Sequence, residues 1–161
     1  MSPECKSLVG IFRLSEEAKR LAKLPDGSAA PTLERAGVIG GGVMGGAIAG
    51  LLAERGLAAR LADLQRAALD AALGEHARRV QKSLKQRRSA PHEARAALDR
   101  LTVTTESATL GHAQIVIEAV AEKLEVKRAV LSQVAARLPA DAILATNTSS
   151  LSVDAIAAGL P

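Results

Sequence analysis

The chain has 161 residues, enough for one domain of ordinary size. Its 48% apolar and 24% charged residues are typical of a globular protein and exclude wholesale disorder. A net charge of +4 and a single aromatic residue, Phe12, provide neither the strong positive field nor the stacking surface of a typical nucleic-acid-binding protein.

Cys5 is the lone cysteine, which excludes an intramolecular disulfide and a cysteine-rich metal centre. We therefore expect no metal site, and a reducing, cytoplasmic compartment fits. The first ten residues include Glu4 and Lys6 and lack the apolar segment of a secretion signal. Residues 36–53 carry no charge, but seven of these 18 residues are glycine. That composition favours a turn over a membrane-spanning helix.

The first 30 residues differ from the rest of the chain. Apolar residues recur at helical spacing and predict a helix over residues 5–23. Pro25, Asp26 and Gly27 then predict a turn, and small residues form a linker to Pro31. We therefore expect an N-terminal helix and linker over residues 1–30, and one domain over residues 31–161.

Strand and helix patterns alternate from residue 33 onward. Predicted strands cover residues 35–40, 57–63, 101–105, 114–118 and 142–145. Predicted helices cover residues 43–55, 66–88, 91–100, 123–138 and 152–158, and Gly56 suits a left-handed cap at the end of the first. Five strands separated by helices predict an α/β fold with a doubly wound parallel sheet.

A glycine-rich turn follows the first predicted strand. Gly40, Gly42 and Gly45 satisfy the pattern G-x-G-x-x-G, with Val43 and Met44 completing the turn and opening a helix. The first glycine makes the tight turn, the second lets a pyrophosphate approach the backbone, and the third lets helix and strand pack closely. Alone, such a turn also arises merely to close a strand–helix junction.

Asp63 supplies a second element of the pattern. It ends the second predicted strand, 23 residues after Gly40, where a carboxylate accepts hydrogen bonds from both ribose hydroxyls of the adenosine. It would also repel a 2′-phosphate, and no Arg or Lys follows until Arg66. The pair predicts a Rossmann-type site for NAD rather than NADP.

Three segments together resemble the NAD-binding domain of 3-hydroxyacyl-CoA dehydrogenases: GVIGGGVMGGAIA at 37–49, IEAVAEKLEVK at 117–127 and ATNTSSLSV at 145–153. These enzymes of fatty acid β-oxidation oxidise the 3-hydroxyl of an acyl-CoA to a ketone, and the resemblance covers residues 33–161. The helix of residues 5–23 is similar to the segment that joins hydratase and dehydrogenase parts in multifunctional fatty-acid-oxidation proteins.

The resemblance implies roles for four residues. Glu122 and Lys127 would line the nicotinamide side of NAD. Asn147 and Ser149 would lie beside the nicotinamide and the substrate's 3-oxygen, Asn147 as both a cofactor-binding and a catalytic residue, although plain helix capping also explains residues 147–150. An acyl-CoA substrate is implied too, as is a full-length protein that is a homo-oligomer or in a complex with a thiolase.

The catalytic histidine of the family lies in a G-x-H-F-F-N-P segment about twenty residues beyond the position of 147–150. Because the chain ends at Pro161, we expect the cofactor half of an active site, one that binds NAD without turnover. His76, His92 and His112 occur in none of the family's catalytic contexts and are expected on surfaces or loops.

Six cations fall within residues 78–88: Arg78, Arg79, Lys82, Lys85, Arg87 and Arg88. A solvated helix face is the favoured interpretation, with attraction of CoA phosphates second and nucleic acid third. Two alternative functions stay open: a β-hydroxyacid or 6-phosphogluconate type dehydrogenase, against which the NTSS segment speaks, and a non-catalytic dinucleotide-binding module.

Overall fold

The computed structural model describes residue 16 and residues 32–160. Except for Glu16, which is helical, the predicted N-terminal helix lies outside the described residues, as do the turn at 25–27 and the linker to Pro31. The chain divides into two compact units, 1–32 and 33–161, and the fold described below is that of the second.

Five parallel strands form one sheet in the order β3-β2-β1-β4-β5. The strands are β1 Arg35–Ile39, β2 Ala58–Ala62, β3 Leu101–Thr104, β4 Ile115–Glu118 and β5 Ile143–Thr146. The helices are α1 Val43–Glu54, α2 Arg66–Lys85, α3 Pro91–Asp99, α4 Leu124–Ala135 and α5 Val153–Ala157, with a 3₁₀ turn at Ser107–Leu110. The predicted α/β fold with a parallel sheet is confirmed, and the strand order reverses between β1 and β4, where ligands bind in open sheets of this kind.

Both faces of the sheet are covered, and β1 alternates between them. Val38 packs with α1 and α2 in a cluster of buried residues that includes Ala49, Ala53, Leu61 and Leu69. Its neighbour Ile39 packs on the other face, in a cluster with Ala62, Leu110, Val116 and Val134. Small side chains in the first cluster let α1 lie close to the sheet, which fixes where the N-terminus of α1 points.

The sequence predicts a helix that continues to Arg88, but α2 ends at Lys85. Arg87 takes a left-handed conformation with φ of 56°, and the backbone N–H of Arg88 donates to the carbonyl of Ser83 at 3.0 Å. The chain therefore leaves the helix through a left-handed turn of the kind that usually contains glycine.

The remaining boundaries agree with the predictions to within three residues. Helix α4 ends at Ala135, because the following N–H groups of Arg137 and Leu138 donate to carbonyls three residues back and tighten the chain. The predicted cap at Gly56 is confirmed by its φ of 99°. No helix in the described part of the chain is both long and apolar enough to cross a membrane.

Candidate functional site

Two glycines of the turn after β1 are required by the fold itself. Gly40 has a φ of 104°, and a Cβ there would lie 2.5 Å from the carbonyl oxygen of Ala119. A Cβ on Gly45 would lie 1.8 Å from the carbonyl oxygen of Gly40. Both distances are far below van der Waals contact, so the turn and α1 can close on the sheet only if these positions have no side chain.

Gly42 differs from both of these glycines. It is the N-cap of α1, with a φ of −64°, and a Cβ there would meet nothing within 4 Å. No side chain caps this helix, and its first turn contains no acidic residue. The open space in front of a positive, uncapped helix N-terminus is suited to a phosphate group.

Val43 and Met44 lie at the same opening. Their exposed fractions are 90% and 55%, high values for apolar side chains in the first turn of a helix. Neither is needed by the core, which is consistent with their predicted place in the cofactor site.

The carboxylate of Asp63 joins the end of β2 to the glycine turn. Its Oδ2 accepts the N–H of Gly41 at 2.6 Å, and its Oδ1 accepts the N–H of Gln65 at 2.7 Å. A carboxylate oxygen accepts more than one hydrogen bond, so both oxygens can still accept from a pair of ribose hydroxyls. The carboxylate is thus held in one orientation at the carboxyl edge of the sheet.

A cavity of about 290 Å³ adjoins this carboxylate. Its lining includes Gly40, Asp63 and Leu64 on one side and Val120, Val126 and Val130 on the other. Apolar walls with one fixed carboxylate at the edge fit an adenosine group, so the residues present fit NAD.

A buried ion pair lies behind the neighbouring strand ends. The side chains of Glu118, at the end of β4, and Lys127, in α4, are both fully buried. The Lys127 ammonium lies 3.0 and 3.1 Å from the two carboxylate oxygens of Glu118. Lys127 Nζ also lies 3.1 Å from Oε2 of Glu122, so one ammonium is shared by two carboxylates.

The other oxygen of Glu122 holds the loop that follows β5. This Oε1 accepts the Thr148 hydroxyl, the N–H of Ser149 at 3.1 Å, and the N–H and hydroxyl of Ser150 at 3.3 and 3.2 Å. The Thr148 hydroxyl, the Lys127 ammonium and the two backbone N–H groups all favour the charged form and lower the pKa of Glu122 to about 2. Glu122 is therefore a carboxylate that anchors residues 148–150.

Hydrogen bonds link all four residues carried over from the resemblance around the ends of β4 and β5. Glu122 contacts both Lys127 and the backbone of Ser149, while Asn147 donates its N–H to the carbonyl of Glu118 at 2.7 Å. Asn147 and Ser149 are exposed at the carboxyl edge of the sheet, but Lys127 points into the ion-pair network. The predicted contacts of these residues with the cofactor stay predictions.

All three histidines of the chain lie away from this edge. His76 is buried between helices, with Nε2 3.0 Å from the carbonyl oxygen of Ala97 in α3. His112 precedes β4, at the amino edge of the sheet. His92 lines a cavity with Arg55 and Gly56, past the carboxyl end of α1. The sequence predicted loop or surface positions, and for His76 that prediction is wrong.

The six cations of 78–88 divide into two groups. Arg79 pairs with Glu54 at 2.7 Å and Arg78 with Glu75 at 2.7 Å. The other four, Lys82, Lys85, Arg87 and Arg88, are exposed. The favoured prediction of a solvated face thus holds for these four and for Arg78, whose side chain is 73% exposed, whereas Arg79 is about one-third exposed and bound to α1.

Sequence reasoning missed Glu118. The signal was a charged residue at the end of the apolar run QIVIE, in a strand predicted to be covered on both faces. A buried carboxylate requires a partner, and the only lysine shortly after it that falls on the inner face of the next helix is Lys127.

Comparisons with known proteins agree on one family. A family model described as 3-hydroxyacyl-CoA dehydrogenase, NAD binding domain, matches residues 35–161. Two curated relatives are each named fatty acid oxidation complex subunit alpha. The one from Pseudomonas entomophila (strain L48) is 36% identical over 155 residues, and the one from Psychrobacter arcticus is 36% identical over 159 residues. The matches cover 96% and 99% of this chain but only 22% of each relative.

Solved structures give the same result. The 3-hydroxybutyryl-CoA dehydrogenase of Escherichia coli K12 is 35% identical with a TM-score of 0.78, over 81% of this chain and 28% of that chain. The (S)-3-hydroxybutyryl-CoA dehydrogenase PaaH1 of Ralstonia eutropha is 30% identical with a TM-score of 0.74, over 79% of this chain and 45% of that chain.

Proposed function

The chain belongs to the 3-hydroxyacyl-CoA dehydrogenase family as its NAD-binding domain, and from that premise we propose that it serves the oxidation of (3S)-3-hydroxyacyl-CoA to 3-oxoacyl-CoA in fatty acid β-oxidation. One observation carries the proposal. The segments 117–127 and 145–153 are separate in sequence, yet Glu122 of the first holds Thr148, Ser149 and Ser150 of the second. Glu122 thus ties the backbone around Ser149 to the loop that follows β4.

Different residues of the chain hold different parts of the cofactor. The N-terminus of α1, with Gly42 leaving room for close approach, holds the pyrophosphate. Asp63 holds the ribose of the adenosine, and the apolar cavity beside it takes the adenine. Glu122, Asn147 and Ser149, at the carboxyl ends of β4 and β5, would then line the nicotinamide end.

NAD, when bound, supplies the acceptor for the hydride that leaves C3 of the alcohol. Asn147 and Ser149 are suited to orient the 3-oxygen, because an amide and a hydroxyl form hydrogen bonds without adding charge. The Glu122 carboxylate keeps the Ser149 backbone fixed while this happens. No histidine of the chain lies near these groups, so we propose that the general base comes from outside the chain.

The chain spans 22% of the curated relatives it matches. We propose that the whole protein binds an acyl-CoA, whose phosphates are attracted by Lys82, Lys85, Arg87 and Arg88. The relatives are named as subunits of a complex. We propose an assembly with a thiolase, which would consume the 3-oxoacyl-CoA product.

Titration of the purified chain with NADH tests the cofactor site. The chain has no Trp or Tyr, so almost all near-ultraviolet-excited fluorescence comes from NADH. We expect NADH emission to rise with added chain, and no NADH to accumulate when NAD and (3S)-3-hydroxybutyryl-CoA are supplied. Absence of binding would refute the proposed site, and sustained NADH production would show that a base exists within the chain.

The full-length gene product tests the reaction. It should reduce NAD with (3S)-3-hydroxybutyryl-CoA and not with the (3R) isomer. A product that binds NADH but oxidises neither would instead be the non-catalytic dinucleotide-binding module, the remaining alternative. The β-hydroxyacid type dehydrogenase is not favoured, because the family match covers residues 35–161.

A further inference from the structure

Glu118 has an unusually complete set of partners for a residue outside the predicted site. Its Oε1 accepts the N–H of Val120 at 2.6 Å, and its Oε2 accepts the Thr146 hydroxyl at 2.6 Å. Both oxygens also accept from Lys127. This one carboxylate therefore joins the end of β4 to the end of β5, to α4 and to the loop 119–123.

Lys127 transmits this connection to the edge of the sheet. Its ammonium is held on one side by Glu118 and on the other by Glu122, and it also lies 3.5 Å from the carbonyl oxygen of Val120. Glu122 in turn holds Thr148, Ser149 and Ser150. A continuous chain of charge-assisted hydrogen bonds thus runs from a buried strand end to an exposed loop.

We propose that Glu118 is a positioning residue of the cofactor site, which acts through Lys127 and Glu122 to hold the loop 147–150 against the nicotinamide end of NAD. This inference rests on the proposed function, which places the nicotinamide beside that loop. Glu118 itself is fully buried, so it would act without touching cofactor or substrate.

Charge explains why the position is Glu and not an apolar residue. Apolar side chains of similar volume often replace a buried ion pair without loss of stability, so packing alone does not call for this network. An ammonium shared by two carboxylates has one preferred position, however, because moving it toward either carboxylate weakens its contact with the other. Removing Glu118 leaves Glu122 as the sole carboxylate partner of Lys127, so the anchor of Thr148 and Ser149 shifts.

The test compares two ligands that differ at one end. ADP-ribose has the adenosine, pyrophosphate and second ribose of NADH but lacks the nicotinamide. Calorimetry on the full chain should give about tenfold weaker NADH binding for Glu118→Gln, the effect of one charge-assisted hydrogen bond. ADP-ribose binding should change less than twofold. Loss of affinity for both ligands alike would indicate a merely structural role and overturn the proposal.

Two threonine variants test the chain of contacts without removing a charged group. Thr146→Val removes a donor to Glu118, and Thr148→Val removes a donor to Glu122. Both should weaken NADH binding more than ADP-ribose binding. Thr109→Val is the matched control, because among the residues that the structure describes its hydroxyl bonds only to the carbonyl of Glu106, just before the 3₁₀ turn, and it should leave both affinities unchanged.

Coupling shows whether Glu118 acts through Lys127. The ratio of NADH affinity to ADP-ribose affinity should be the same in the double variant Glu118→Gln/Lys127→Met as in Lys127→Met alone. If the two residues acted independently, the double variant would show the product of the two single-variant reductions in this ratio. If circular dichroism shows that Glu118→Gln does not fold, the threonine variants decide, and unchanged ratios in both overturn the proposal. A parent chain that binds neither ligand refutes the proposed function as well. A parent that binds both, with ratios that no variant changes, refutes only the role of Glu118.

Discussion

Gly42→Val should separate ligand binding from folding. A Cβ at Gly42 meets nothing within 4 Å, and its φ of −64° suits any L residue. The folding cost is then limited to the poorer N-cap preference of valine, about 1 kcal/mol or less. The added side chain would, however, fill the space in front of the α1 N-terminus.

The effect on binding follows from the contacts that this space allows. Backbone N–H groups at the start of α1 are expected to donate to the pyrophosphate, each bond contributing about 1.5–3 kcal/mol because the acceptor is charged. Losing one of them weakens binding about 10- to 150-fold. We therefore expect Gly42→Val to bind NADH at least tenfold more weakly, and to unfold within about 1 kcal/mol of the parent.

Two other glycines provide controls. Gly74 lies inside α2 with open space around its missing Cβ, so Gly74→Ala should leave binding unchanged and add roughly 0.5–1 kcal/mol to the unfolding free energy. Gly45→Ala places a Cβ 1.8 Å from the carbonyl oxygen of Gly40 and should destabilise the fold by about 3 kcal/mol.

Calorimetric titration with NADH and urea unfolding give the two quantities for each variant. Unchanged NADH affinity in Gly42→Val would refute the placement of the phosphates at this turn. A Gly42→Val variant as unstable as Gly45→Ala would refute the reasoning from open space.

Three further predictions concern the charged groups. Asp63→Asn should lower the ratio of the Kd for NADPH to the Kd for NADH at least tenfold, because the carboxylate that repels a 2′-phosphate is gone. Equal Kd values for the two cofactors in the parent would show that Asp63 does not select the cofactor. Lys127→Met should lower the unfolding free energy by about 3–5 kcal/mol because it leaves Glu118 buried without its cation, and Glu118→Gln/Lys127→Met should recover most of the loss in urea unfolding. The pKa of Glu122 is about 2 in the folded chain against 4.5 for an ordinary Glu, so its contribution to stability is complete above about pH 4.5 and lost as the pH falls toward 2. The stability difference between the parent and Glu122→Gln should accordingly shrink over that range, and a pH-independent difference would contradict the pKa shift.

Periodicity and glycine placement were sufficient to predict all five strands and the turn after β1. Hydrophobic runs of four to six residues between glycines and prolines have few other interpretations in an alternating chain. Strand ends were less predictable, because they depend on hydrogen bonds between distant residues. Gln114, for example, is predicted inside β4 but lies one residue before it. Its side chain accepts the N–H groups of Glu34 and Arg35 at the start of β1.

The site was predicted at the level of residue types but not of connections. The resemblance named Glu122, Lys127, Asn147 and Ser149, yet their hydrogen bonds depend on how β4 and β5 align. That alignment pairs Glu118 with Thr146 and brings two loops together. The left-handed conformation of Arg87 could not be predicted from the sequence either, because local propensity disfavours it for arginine and the tertiary structure imposes it.

The hydrogen bond from Gly41 to Asp63 has an evolutionary consequence. The carboxylate expected to select the cofactor also pins the glycine turn, through a bond of 2.6 Å. A mutation that admits a 2′-phosphate by replacing this carboxylate with a side chain that lacks an acceptor also frees the N–H of Gly41 and loosens the turn. Lineages that change cofactor would then need a second substitution that restores an acceptor for Gly41, so single-step switches at Asp63 should be rare and handicapped. Because one carboxylate both selects the cofactor and holds the turn, cofactor preference in this domain should change slowly in evolution.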